Sequence, residues 1–437
     1  MLTTKPFRRT LMAAVLALSA SLAAMSLPGA PAGAAAADPL CVTKPASEIG
    51  AKVLPVGDSL TVGASGDYTW RYFLWKQLLV KSGSTTKTGI NFVGPHTKVV
   101  DPVSVQQTSD DYICPFDQDT GAYPGTFLSR YLIKTNFAGT TYSSLIKGLV
   151  KYYNPAVVIM FIGINDLERT YNGSQPQSPD KVLSNAKKAV AEIRAAKSNA
   201  KIIFSTVSSF INPVVPSATR AKLKSYNDKL VAAGPGWSTS TSPVRVVRTV
   251  QNWGTTKFTY DGLHPNVQGE VQIAHDFAVA LNKFGVGPKP AAVPSMAKYL
   301  GPRTVANLSK PTVSGTKVTL RWTMPSGSVR TIIERADVTG GGLLSSPKIG
   351  KYATRGAKGL IDGVSCVDAN GTKVAGRSDL TAPYRCTYTD TITSGKKYSY
   401  RLRSGRGLAG TYLAQNPSKQ VFLYAASLRS AAQRVNY

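Results

Sequence analysis

The chain has 437 residues, 43% apolar and 17% charged, which excludes a disordered protein and leaves room for about two or three domains. Four cysteines are too few for a disulfide-built scaffold, and three histidines leave little room for a histidine-rich metal site. The net charge of +29 suits an anionic partner, yet the cations are scattered and no nucleic-acid-binding motif occurs.

The first element in chain order reads as an export signal. Lys5, Arg8 and Arg9 precede an apolar stretch from Leu11 to Leu27, and an Ala-rich run ends at Ala37. A positive start, a short apolar segment and small residues are the marks of a signal peptide, expected over 1–37. Phe7-Arg8-Arg9-Thr10-Leu11-Met12 also loosely fits a twin-arginine signal, so either export route is open. No later segment is long and apolar enough to span a membrane. A secreted, extracellular protein meets an oxidising environment, where cysteines pair. Four cysteines allow three connectivities. The simplest joins Cys41 to Cys114 and Cys366 to Cys386, against the alternative that one pair stays free.

From Lys52 to Val56 the chain predicts a buried strand that breaks at Gly57-Asp58-Ser59. Trp70, Phe73, Leu74 and Leu78 then fall at helical spacing. Asn91 to Val93 is a short strand, and residues 95–124, polar and rich in Asp, Pro and Gly, form a long loop. Strands over 156–162, 201–207 and 244–250 alternate with helices over 179–197, 218–232 and 267–284. Such alternation implies a parallel sheet covered on both faces, with ligands beyond the carboxyl ends of its strands. Trp70, Tyr72 and Trp75 are expected to pack the helix rather than to face a sugar.

Three strand ends carry chemistry. Ser59 follows the first strand and precedes a helix, as a nucleophile or an N-cap would. Asn165 in Gly163-Ile164-Asn165-Asp166 follows the strongest strand and can aim its NH2 at an oxyanion, although Gly, Asn and Asp also make ordinary turns. Asp261, three residues before His264, can accept the imidazole Nδ1–H and leave Nε2 as a base, although a capped loop reads the same way. Each is ambiguous by itself. All three open on one sheet edge, and together they supply nucleophile, base, orienter and oxyanion donor for acyl transfer. His275, inside the closing helix, and His96, in a loop, are weaker candidates.

The stretches GDSLT, GINDL and DGLHPN resemble three of the four blocks of the SGNH (GDSL) hydrolase family, over about 50–284. The resemblance implies a flavodoxin-like three-layer α/β/α fold and ester hydrolysis without a cofactor. Carried over, it makes Ser59 the nucleophile, His264 the general base and Asp261 its orienter. The N–H groups of Ser59 and Gly125 and the side chain of Asn165 form the oxyanion hole, with Gly121 competing for Gly125's place. Asp58 and Asp166 become structural braces. The Tyr226-Asn227 helix looks most like the secreted carbohydrate-esterase branch, from which the long 95–124 loop departs. The expected substrate is a short-acyl ester, such as an acetylated polysaccharide. A lipase or phospholipase is the alternative in the same family, and a binding protein on an esterase scaffold the alternative outside it.

After the α/β region, here taken as 38–284, Pro- and Gly-rich residues 285–304 read as a linker. The remainder, 305–437, alternates in strand fashion. Its VTLRW, RTIIERA and YSYRLRS stretches resemble a fibronectin type III β-sandwich, with an insertion holding Cys366 and Cys386. Residues 301–437 carry 21 basic and 6 acidic side chains, which suits docking on an anionic cell-wall polymer. Neither nucleic acid nor integral membrane is expected as a partner.

Overall fold

The computed structural model describes residues 41–42, 50–64, 67–82, 85–100, 107–109, 112, 114–168, 175–208, 217–249, 258–259, 263–293, 308–324, 330–337, 339, 351–353, 364–367, 371, 384–407, 424–426 and 433–436. The expected signal peptide and Asp261 lie outside them.

A five-stranded sheet forms the N-terminal part: β1 (Ala51–Gly57), β2 (Ile90–Phe92), β3 (Val157–Phe161), β4 (Lys201–Ser205) and β5 (Val244–Val247). Its order is β5-β4-β3-β1-β2, and every pairing is parallel. This is the flavodoxin-like order, reversing direction between β1 and β3. β3 (VVIMF) is buried along its whole length, as a strand covered on both faces must be. The helices are α1 (Ser59–Val62), α2 (Trp70–Gln77), α3 (Leu145–Tyr153), α4 (Ile164–Glu168), α5 (Pro179–Ala196), α6 (Ser217–Ala233) and α7 (Val267–Asn282). Trp70, Tyr72 and Trp75 are buried, as expected of packing residues, and Trp70 and Phe277 join α2 to α7 with ring centroids 4.8 Å apart.

The sequence reading passed over α3. Ser144 caps it, accepting from Lys147 N–H at 3.2 Å, and Ile146, Leu149 and Val150 form its buried stripe. Gly148 disguises the helix, since glycine disfavours helix interiors. A Cβ there would come within 2.9 Å of the Tyr142 ring.

The expected linker also starts too early. Phe284 and Val286 are buried in the α/β core, and Val293 packs against it. Asn282 Nδ2 donates to the Gly287 carbonyl at 3.0 Å, and Gly287 takes φ +76°, where a Cβ would come within 2.4 Å of Leu78 Cδ2. Gly and Pro here make a fixed turn, so the α/β unit runs at least to Val293. Cys41 and Cys114 are bonded, fastening the 95–124 loop to the chain ahead of β1. That loop is itself partly ordered by a two-residue ladder at Val99–Val100 and a bridge between His96 and Thr120.

The C-terminal part is all β. One antiparallel sheet orders β6 (Thr312–Ser314), β7 (Lys317–Met324), β11 (Tyr384–Thr391) and β10 (Val364–Val367). The other orders β9 (Lys351–Ala353), β8 (Arg330–Asp337), β12 (Lys397–Gly407) and β13 (Tyr424–Ala426), with β14 (Gln433–Asn436) also on β12. Val318, Leu320 and Trp322 from the first sheet share a core with Ile333, Tyr400 and Leu402 from the second. Cys366 and Cys386 are bonded and face each other across β10 and β11. They belong to the sheet itself rather than to an insertion, because β11 pairs residue for residue with β7.

Candidate active site

The site is built where β1 and β3 end. β1 stops at Gly57, where any side chain would strike Thr61 and the Phe161 carbonyl within 2.5 Å. Asp58 then caps α1, accepting from Leu60 N–H at 3.0 Å, and sets Ser59 as the first helical residue. The first amides of a helix have no internal acceptor, and the Ser59 N–H has no partner among the described residues. Trp70 Nε1 holds the Leu60 carbonyl at 3.0 Å.

His264 reaches Ser59 from the other side of the chain. Its Nε2 lies 3.0 Å from Ser59 Oγ, a distance that permits proton transfer. The loop carrying it is closed by a bridge between Thr259 and Pro265. Asn266 then caps α7, accepting from Gly269 N–H at 3.1 Å.

After β3, Gly163 takes φ +124°, and the turn delivers Asn165. Asn165 Nδ2 donates to the Thr126 carbonyl at 2.9 Å and stands 3.4 Å from Asp58 Oδ2. Two acceptors fix the amide with its donor end toward the Ser59 turn. Asp166 accepts from the N–H groups of Leu128 at 2.7 Å and Ser129 at 3.2 Å, so it braces the segment after Gly125.

Gly125, with φ +66°, occupies a telling place in that segment. The N–H groups of Thr120, Gly121, Tyr123 and Thr126 go to carbonyls of His96, Pro55, Gly57 and Tyr123, and that of Ala122 goes to Thr120 Oγ1. From 120 to 126, among the described residues, only the Gly125 N–H is left uncommitted, Pro124 having none. Gly121 has spent its N–H on Pro55 at 2.8 Å and is therefore no rival donor.

Burial dominates the electrostatics. Asp58 is fully buried, and desolvation pushes its pKa up to about 7. The Leu60 N–H and the charge of His264 oppose that rise, whereas Asp166 adds to it. Asp166 is raised chiefly by burial too, against its hydrogen bonds from Leu128 and Ser129.

Two supports escaped the sequence reading. Arg71 is wholly buried. Its guanidinium donates to the carbonyls of Thr61 (3.1 Å), Val62 (3.1 Å) and Gln118 (2.6 Å) and to Tyr112 Oη (3.1 Å). It thus clamps the far end of α1 to the long loop, and these acceptors offset the cost of burying a charge. Its only local signal is a cation within the run WRYFLW. Tyr131 Oη lies 2.9 Å from the Gly57 carbonyl and 2.8 Å from that of Gly121, joining residues 74 positions apart, which no local pattern announces. The remaining histidines sit elsewhere. His96 packs edge-on to Tyr123 at 4.4 Å, and burial lowers its pKa. His275 lies inside α7, its Nδ1 3.4 Å from Asp276 Oδ1. Among the described residues no cluster of His, Cys, Asp or Glu is arranged to hold a metal ion.

Residues 116–271 match the GDSL-like Lipase/Acylhydrolase family. Over these residues the α/β domain is similar to this family. The match takes in Gly125, Asn165 and His264 but begins after Ser59, so Ser59 rests on its contact with His264. A multidomain esterase of Ruminococcus flavefaciens is 25% identical over 226 residues, covering 50% of this chain and 27% of that protein. The chain therefore spans about a quarter of the length of that relative. Among solved structures, a family 3 carbohydrate esterase from Talaromyces cellulolyticus has 23% identity and a TM-score of 0.39, covering 54% of this chain and 97% of its own. A family 3 carbohydrate esterase from Clostridium thermocellum has 20% identity and a TM-score of 0.36, covering 55% and 100%.

Proposed function

We propose that the GDSL-family domain is a serine esterase working through an acyl-enzyme. The observation that carries this reading is His264 Nε2 at 3.0 Å from Ser59 Oγ, beyond the sheet's carboxyl edge. Ser59 Oγ gives its proton to His264 as it attacks the ester carbonyl carbon. The resulting oxyanion is held by the N–H groups of Ser59 and Gly125 and by Asn165 Nδ2, which exchanges its long 3.4 Å contact with Asp58 for the oxyanion. The intermediate collapses, His264 returns the proton to the departing alkoxide, and the acyl group stays on Ser59. Water, deprotonated by His264, then releases the carboxylic acid and restores Ser59. The family resemblance gives Asp261 the part of accepting His264 Nδ1–H and stabilising the imidazolium.

The substrate in this reading is a short-acyl ester, an acetylated polysaccharide above all. The family resemblance of the motif blocks and the esterase relative support it. The two disulfides support an oxidising, extracellular location. The C-terminal domain is read as a fibronectin type III-like module, whose excess of basic residues favours attachment to anionic wall polymer.

Turnover of p-nitrophenyl acetate, long-chain p-nitrophenyl esters and acetylated xylan by the full chain tests the reading. Activity on the acetate and on xylan, falling steeply with chain length, is expected. Preference for long chains would make the domain a lipase, and no turnover of any ester would leave it a binding scaffold.

A further inference from the structure

All strands of a parallel sheet start on one edge, opposite the one that carries Ser59 and His264. Here that edge bears Lys52 on β1 and, on the opposite face of the sheet, Lys201 on β4, with Arg245 on β5 two residues further in on the Lys201 side, level with Ile203. The Ala156 N–H donates to Lys52 O at 2.8 Å and the Lys201 N–H to Ala156 O at 3.0 Å, so neighbouring strands begin level. The helices return to the same edge. α3 ends in Lys151-Tyr152-Tyr153, and Lys197, capping α5, reaches the Asn154 carbonyl with Nζ at 3.2 Å. Lys201 Nζ and the Arg245 guanidinium lie 5.8 and 5.4 Å from the centre of one ring, Phe284. Burial, and then the charge of Lys52, lower the pKa of Lys197.

None of these five cations forms an ion pair with a carboxylate among the described residues. Asp119 lends negative charge near Tyr153. Helix C-termini attract cations with about half a charge each. That accounts for Lys197 and for Lys201, which donates to the Phe284 carbonyl at 2.6 Å, but not for Lys52 and Arg245, which stand exposed on strands. Next to Lys151 on α3 stands an exposed ring. Tyr152 is 59% exposed, and its ring meets Phe137 at 5.6 Å and Tyr153 at 4.9 Å.

We propose that this amino-terminal edge is a docking surface for an acidic polysaccharide, its carboxylates meeting Lys52, Lys151, Lys197, Lys201 and Arg245 and its sugar rings lying on Tyr152. Four of the five cations are lysines, flexible point charges that suit carboxylates spaced along a chain better than bidentate phosphate recognition. Aromatic faces suit the apolar faces of pyranose rings. The surface is independent of the ester chemistry and would hold polymer on the side of the domain away from Ser59.

The test measures binding of the full chain to polygalacturonate at low salt. Lys52→Gln/Lys197→Gln/Arg245→Gln is set beside a control of equal charge change, Lys181→Gln/Lys187→Gln/Lys188→Gln, exposed on α5. The edge set should weaken binding about tenfold and the control much less. Tyr152→Ala should weaken polygalacturonate but not polyphosphate. Equal weakening by the two triple variants would reduce the effect to net charge and overturn the proposal. So would single-stranded DNA binding as tightly as the glycan and losing as much in Tyr152→Ala, since bases also stack on aromatic rings. If melting shows the edge triple unfolded, Arg245→Gln against Lys188→Gln carries the same comparison.

Discussion

The two edges of one parallel sheet solve opposite problems. At the carboxyl edge Asp58, Asn165 and Asp166 are buried and tied by hydrogen bonds. At the amino edge Lys52, Lys151 and Arg245 are exposed and, among the described residues, without carboxylate partners. Burial with satisfied hydrogen bonds fixes atoms to fractions of an ångström, which a bond-breaking step needs. Exposed charge makes a field that salt screens, which suffices to hold a polymer but not to orient a reacting atom. Substitutions at the first edge should therefore act on kcat, and those at the second on attachment.

The largest effect is expected from Ser59→Ala. It should lower kcat on p-nitrophenyl acetate by roughly four or more orders of magnitude with an unchanged melting temperature. A folded variant keeping a tenth of wild-type turnover would remove Ser59 from the chemistry. Asn165→Ala should cost about 10²–10³ in kcat, the usual loss for one oxyanion donor, with little change in KM. A change confined to KM would make Asn165 a ground-state contact instead.

A third effect is on stability. An acid whose pKa rises on folding holds its proton more tightly in the folded chain. The contribution of Asp58 to wild-type stability should thus fall as pH climbs from 3.8 to about 7 and level off above that. Asp58→Asn keeps a capping oxygen for α1 but does not ionise. Its melting temperature relative to wild type should rise across that window, by the equivalent of a few kcal/mol (roughly 1.4 per pKa unit). A difference independent of pH would mean that Asp58 ionises normally. The smallest effect belongs to the amino edge, where the Lys52/Lys197/Arg245 variant should leave small-ester kcat within about twofold, since screened, distant charges barely reach the site. A larger loss would mean that the edges are coupled.

Much of this was legible in the sequence because it is local. β3 announces itself as a run of apolar, mostly β-branched residues; GDSLT packs strand exit, cap and nucleophile into a few positions, and DGLHPN does the same for the base and the cap of α7. Asn165 was legible only in company with the other two strand ends, and Gly125 only by family resemblance, since a Gly-Ile-Asn-Asp turn and a Pro-Gly pair have commonplace uses. What stayed hidden is long-range or conformational. Arg71 and Tyr131 owe their roles to carbonyls far along the chain. Gly148 masked a helix whose reason for glycine is the Tyr142 ring. Residues 285–293 read as linker because composition cannot tell a flexible Gly-Pro stretch from one turned onto a core. The amino edge was invisible because its cations lie apart in sequence and meet only through the strand order.

The central claim is that Ser59 carries the acyl group, with His264 as its base. A fluorophosphonate ester probe, followed by intact-mass and peptide mass spectrometry, tests it directly. The account predicts one adduct, on the peptide holding Ser59, absent from Ser59→Ala and formed far more slowly in His264→Ala. An adduct on another residue, or full ester turnover in a chain that the probe leaves unmodified, would contradict it.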